Sequence, residues 1–474
     1  MLDSDFANLM EGLHSFRFGA VEFRSCALGW NYVYAYFMLV PEQIVVEFWT
    51  SSVNVAVWIS IFLVVITLLN SLSVRFYGET ESYFASLKII LILGLILLTF
   101  ITMVGGGPSH HAFGFSNWNK PSPMVNPLWL LPVQAFDSDS SISDQNEYIA
   151  TGAWGRFLAF WSSMISAGFS FIFGPELITV ASGETQNPRR NIPKATRRFV
   201  YRIVFFYVGG ILSIGILVSS QNPSLLNAIA SGTSSGAASP FVIGIREQGI
   251  KVLPSIVNAV ILTSAWSSGN SFMYAGARVL HGLAKDRHAP SFFARTHHGV
   301  PLYAVGCAAL IGCLSYLNVS SSGANVFTWF QNITTISGFL SWIVVLITHF
   351  RFRAGLKAQG VSISSLPFRA KLYPYAPIYA LIVVSVITLT NGFAVFTKGR
   401  WSTSDFVAAY IGLPIFAFFY LGHKIVTRSW DFYIPAHLID ITTGRAEIDE
   451  EERLDRQNFV PPTTFNEKFV EWLF

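Results

Sequence analysis

Uncharged, mostly apolar runs of roughly bilayer-crossing length recur along this chain, at 25–41, 54–74, 89–109, 157–175, 203–245, 252–277, 302–348, 372–397 and 406–422. A helix needs about 20 such residues to cross the hydrocarbon of a bilayer. Two of the runs are too long for one crossing. The first contains the turn-rich QNPSLLNAIASGTSSGAASP, which leaves one helix near 203–219 and a loop; the second is interrupted by LNVSSSGAN, which gives helices at about 301–318 and 326–348. The total is ten spans. Runs this long and unalternating are not barrel strands, and only helices or closed barrels satisfy their backbone groups in lipid. Charged residues make up 12% of the chain, against about 25% in soluble domains. The sequence therefore reads as an all-α polytopic membrane protein.

The charges orient it. With ten spans, the loops at 183–202, 278–300 and 349–371 share a side and hold six, four and five Lys+Arg; the facing loops at 105–155, 220–250, 318–327 and 397–405 hold one, one, none and two. Lys and Arg mark the cytoplasmic side, so both termini are expected there. The organisation that follows is a cytoplasmic segment 1–24, a transmembrane domain 25–427 and a cytoplasmic tail 428–474. The net charge of +4 reflects this topology and calls for no nucleic-acid partner. Cys26, Cys307 and Cys313 fall in predicted spans, where buried thiols are expected. The long 105–155 loop, acidic near Asp137, Asp139, Asp144 and Glu147, either shapes an outer vestibule or is simply solvated.

One stretch departs from plain hydrocarbon. In FIFGPELITVASGETQNPRRNIPKATRRFVYR, residues 171–202, Gly174, Pro175 and Glu176 sit inside the apolar part. Pro175 removes a backbone donor and clashes with the preceding turn, while Gly174 tolerates the dihedrals of a break. The expected result is a discontinuous helix: one half at about 156–170, an unwound stretch, and a second half from Pro175 to about Ser182. Unwound backbone at membrane depth is tolerated where it lines a cavity, and transporters use it to hold substrate. Glu176 would then occupy the first turn of the second half, where the helix dipole favours an anion. The plainer alternative is a proline kink carrying a protonated or paired glutamate.

These residues resemble the sixth helix of the fungal amino-acid permeases of the amino acid, polyamine and organocation (APC) superfamily. The elements are Gly174-Pro175-Glu176, Ala181-Ser182-Gly183-Glu184, Asn187-Pro188-Arg189 and Ile192-Pro193-Lys194-Ala195. ALGWNYVY at 27–34 is similar to the start of the family's third helix, YGETESYFASLK at 77–88 to the junction into its fifth, and ARVLHGLAKDRHAPSFF at 277–293 to the loop after its eighth. The matches keep the family's order and cover about 27–430. They imply an APC-type inverted-repeat transporter fold, here from the third helix to the twelfth. No glycine-rich first half-helix of the G-[ST]-G kind is present, so the element that would take the substrate carboxylate is missing from this sequence. A truncated gene model and a genuinely short protein are the two explanations.

The resemblance implies the site. Carbonyls of Phe171, Ile172 and Phe173, with Gly174, would face the substrate amine. Glu176 would contact substrate or take part in proton linkage, and Glu184 would act at the cytoplasmic gate. Pro175 departs from the small or polar residue usual in the family. Lys88 is similar to the fifth-helix lysine that couples transport to protons in bacterial relatives. It lies nine residues past Glu79, roughly 13 Å of helix, and snorkelling to the interface is its other reading. Ser267 and Ser268 fall near the same place in the eighth helix, where packing alone also accounts for small residues. The function implied is proton-coupled secondary transport of amino acids or related amines by alternating access. The alternative is a non-transporting sensor or inactive relative. No nucleophile, metal or phosphate motif stands at a working spacing, so an enzyme is not expected, nor is a cofactor or metal ion. The expected partners are the small-molecule substrate, protons and the lipid bilayer, in a multi-pass protein of the plasma membrane.

Overall fold

The computed structural model describes residues 53–72, 74–108, 110–119, 152–171, 188–219, 222–230, 239–285, 287, 289–319, 323–366, 369, 372–397, 401–428, 434–441 and 445–458. These residues form helices, and no strand is present among them beyond an isolated bridge between His297 and Val300. In chain order the principal helices are α1 (Val55–Ser71), α2 (Val74–Met103), α3 (Gly152–Phe171), α4 (Pro188–Ile203), α5 (Gly209–Leu217), α6 (Leu253–Lys285), α7 (Leu302–Gly312), α8 (Gly323–Ala358), α9 (Tyr375–Thr390), α10 (Thr403–Tyr410), α11 (Gly412–Thr427) and α12 (Arg445–Asn458).

Nine of the ten expected spans are each represented by helix here; the tenth, 25–41, lies outside the described residues. Among the described residues, three helical stretches can cross a bilayer by length and composition alone, Phe76–Met103, Asn191–Leu217 and Asn332–Ala358, and the bent pair α10–α11 can serve as a fourth. Shorter apolar helices are Ala56–Ser71, Leu302–Leu317 and Tyr375–Thr390. The stretches at 157–175 and 252–277 correspond to α3 and α6, which carry more Ser, Trp and Gly.

Several boundaries differ from the sequence reading, each for a physical reason. The basic segment expected as a loop is helical: Pro188 opens α4, a position whose fixed φ suits a first helical residue, and Pro193 is accommodated within the helix. α4 passes through a π-helical turn, Val204–Val208, into α5. α6 and α8 likewise continue through residues read as loop, to Lys285 and Ala358, because hydropathy detects only the apolar part of a helix. The span at 406–422 is bent by 47° between α10 and α11. Pro414 cannot donate to the Tyr410 carbonyl there, and Gly412 abuts Ile336, which a Cβ would approach to 2.6 Å. Cys313, at the end of α7, is exposed rather than buried, and Cys307 is half-buried.

Apolar clusters hold the helices together. Ile165 of α3, Phe272 of α6, Phe339 of α8 and Ile387 of α9 form one. Gly168 makes that approach possible: a Cβ there would lie 2.2 Å from Phe339 Cζ. Another joins Leu63 and Ile66 of α1, Met273, Ala277 and Leu280 of α6, and Ala304, Val305 and Ala308 of α7. Small residues at such contacts let helix backbones come close, which matters in lipid, where no hydrophobic drive brings helices together.

Candidate functional site

α2 begins with Tyr77, Glu79 and Glu81, passes Lys88, and only then becomes hydrocarbon. Glu81 and Lys88 are seven residues apart, about two turns, and so share a face. That face meets α6, whose Ser267, Asn270, Ser271, Tyr274 and Arg278 recur at helical spacing and form a polar strip.

The strip is hydrogen-bonded along its length. Lys88 Nζ donates to Ser267 Oγ at 2.7 Å, and Ser267 Oγ donates to Glu81 Oε1. Lys88 Nζ stands 3.6 Å from the same carboxylate oxygen, with the two side chains 31% and 25% exposed. Ser267 itself is fully buried. Glu81 Oε2 is buried with no hydrogen-bond partner. A half-buried ionisable cluster between helices is costly to hold in a bilayer.

One turn along α6, Asn70 of α1 donates from Nδ2 to Asn270 Oδ1 at 2.8 Å and to Ile66 O at 3.0 Å. Both asparagines are buried, and Asn70 Oδ1 and Asn270 Nδ2 have no partner. Beside it, Tyr77 donates to Ser271 Oγ at 3.1 Å and, a turn further along α6, stacks on Tyr274 with ring centroids 4.0 Å apart. Arg278 lies 3.4 Å from the centre of the Tyr274 ring, cation–π geometry.

The structure thus brings Lys88 and Ser267 together. Ser268 is oriented differently: its hydroxyl donates to the Ser264 carbonyl of its own helix at 3.0 Å. Phe171 closes α3 and stacks on Tyr207 at 4.7 Å, within the π-helical turn, a feature frequent at functional sites. Ile172, Phe173, Gly174, Glu176 and Glu184 lie outside the described residues, as does the expected break itself. Sequence reasoning passed over Glu81 and Asn70. The seven-residue spacing to Lys88 was the available signal for Glu81; Asn70 and Asn270, 200 residues apart in sequence, carry no local one.

A helical chain with several apolar spans and an ion-paired cluster lodged between two of its helices is a polytopic membrane protein of transporter type. Comparison with known proteins gives the family. The amino acid permease family model matches residues 22–432, and this chain belongs to that family. It is 45% identical over 454 residues to the proline-specific permease of Saccharomyces cerevisiae, covering 94% of this chain and 69% of the relative. It is 46% identical to the probable proline-specific permease put4 of Schizosaccharomyces pombe, covering 94% and 78%. The dicarboxylic amino acid permease of Saccharomyces cerevisiae is more distant, 36% identical over 459 residues. The protein is accordingly a multi-pass membrane permease for amino acids, and not an enzyme.

Proposed function

We propose that this permease carries proline into the cytoplasm together with protons, by alternating access. Support for the substrate comes from relatives: those at 45–46% identity are named as proline permeases, and the dicarboxylic permease stands at 36%. Support for proton coupling comes from the Lys88–Ser267 contact, which puts a cation where the fold joins α2 to α6. In this reading Lys88 carries the coupling charge, Ser267 holds it, and Ser268 lies beside it. Carbonyls at Phe171, Ile172 and Phe173, with Gly174, receive the proline amine, Glu176 links substrate to protonation, and Glu184 acts at the cytoplasmic gate. Residues 1–24 and 428–474 are cytoplasmic and 25–427 form the membrane domain, in the plasma membrane.

Uptake of labelled L-proline by cells lacking their own proline permeases tests the substrate. Saturable proline uptake at least tenfold above the vector control is expected, with glutamate and lysine competing weakly. Uptake of lysine or glutamate without proline would overturn it. Glu176→Gln is expected to abolish uptake while surface expression persists; undiminished uptake would remove Glu176 from the mechanism.

A further inference from the structure

A proton carried on Lys88 needs a way off the helix, and donors and acceptors already stand in line for it. Lys88 Nζ donates to Ser267 Oγ at 2.7 Å, and Ser267 Oγ donates onward to Glu81 Oε1. The direct Lys88–Glu81 distance, 3.6 Å, is longer than a hydrogen bond, so the serine hydroxyl is the bridge. Glu81 Oε2 is buried with no hydrogen-bond partner, so the carboxylate meets the serine through Oε1 alone. Glu81 also lies seven residues, about 10 Å, nearer than Lys88 to the start of α2. The Lys/Arg distribution assigns that end to the cytoplasm.

We propose that Glu81 is the proton acceptor for Lys88, receiving the proton through the Ser267 hydroxyl and releasing it toward the cytoplasm. The proposal rests on Lys88 as the coupling residue. In the transfer, Lys88 gives one N–H proton to Ser267 Oγ as the Ser267 O–H proton moves to Glu81 Oε1. The ammonium becomes an amine, the carboxylate becomes a carboxylic acid, and the serine is regenerated. An ion pair is converted to a neutral pair, which is less costly to hold away from water. Among the described residues, α1 and α5, packed on α2, carry no ionisable group; α6 contributes Tyr274, Arg278, His281 and Lys285, all toward the same end as Glu79, which is exposed.

The test uses the full chain in proteoliposomes with labelled L-proline, comparing accumulation driven by a pH gradient with exchange in its absence. Glu81→Gln is expected to lower the ratio of accumulation to exchange at least tenfold and to flatten the pH profile of exchange, with Glu81→Asp recovering most of the ratio. A purely structural carboxylate would lower both rates together and leave the ratio where it was, and that result overturns the proposal. An unchanged ratio in Glu81→Gln beside a collapsed one in Lys88→Ala also overturns it, while leaving Lys88 as the coupling residue. Unchanged ratios in both variants overturn the Lys88 reading and the relay with it. Should Glu81→Gln fail to fold, Ser267→Ala decides by the same ratio: a fall of at least fivefold supports the relay, and none refutes it.

Discussion

The two sides of α6 are built on opposite principles. Toward α7, and together with Leu63 and Ile66 of α1, it packs Met273, Ala277 and Leu280 against Ala304, Val305 and Ala308, all buried and apolar. Toward α2 and α1 it presents Ser267, Asn270, Ser271 and Tyr274, each engaged with a polar or aromatic side chain. Close packing of small residues makes the α7 side a fixed joint. The α2 side holds polar groups between helices, which are costly in lipid unless paired. In the proposed mechanism this one helix links a packed apolar contact to the contact that changes charge.

That contrast can be broken from either side. Lys88→Ala, on the changeable side, is expected to have the largest effect: gradient-driven proline accumulation falls at least tenfold toward the passive level, measured in the same proteoliposomes. Unchanged accumulation would return Lys88 to a snorkelling role. Ala304→Leu, on the rigid side, overpacks a residue that is fully buried and is expected to cost about 1–3 kcal/mol. Thermal unfolding of the detergent-purified protein would report it, with accumulation and exchange falling in parallel. Tyr77→Phe removes one hydrogen bond to Ser271 and keeps the stack on Tyr274, for an expected loss of about 0.5–1.5 kcal/mol in the same unfolding measurement. A larger loss for Tyr77→Phe than for Ala304→Leu would invert the comparison.

Much of this architecture was legible because the bilayer imposes a single rule on every span. The runs at 54–74, 89–109 and 326–348 announce the apolar parts of α1, α2 and α8. Hydropathy is silent where a helix continues past the hydrocarbon, and so the basic helix Pro188–Ile203 and the end of α6 read as loops. The bend at Ile411 was hidden because Pro414 sits in an otherwise uniform apolar run. Lys88 and Ser267 were paired by family resemblance; nothing in their spacing, 179 residues apart, brings them together. Glu79 marks the depth of Lys88 along α2, whereas Glu81, two turns from Lys88, is distinguished only by sharing its helix face.

The most direct test of the account is the pH of a weakly buffered suspension of cells expressing this chain when L-proline is added. Proton-coupled uptake predicts transient alkalinisation of the medium that scales with proline entry and disappears when the proton gradient is collapsed. Proline entry that leaves external pH unchanged and continues in a collapsed gradient would contradict it.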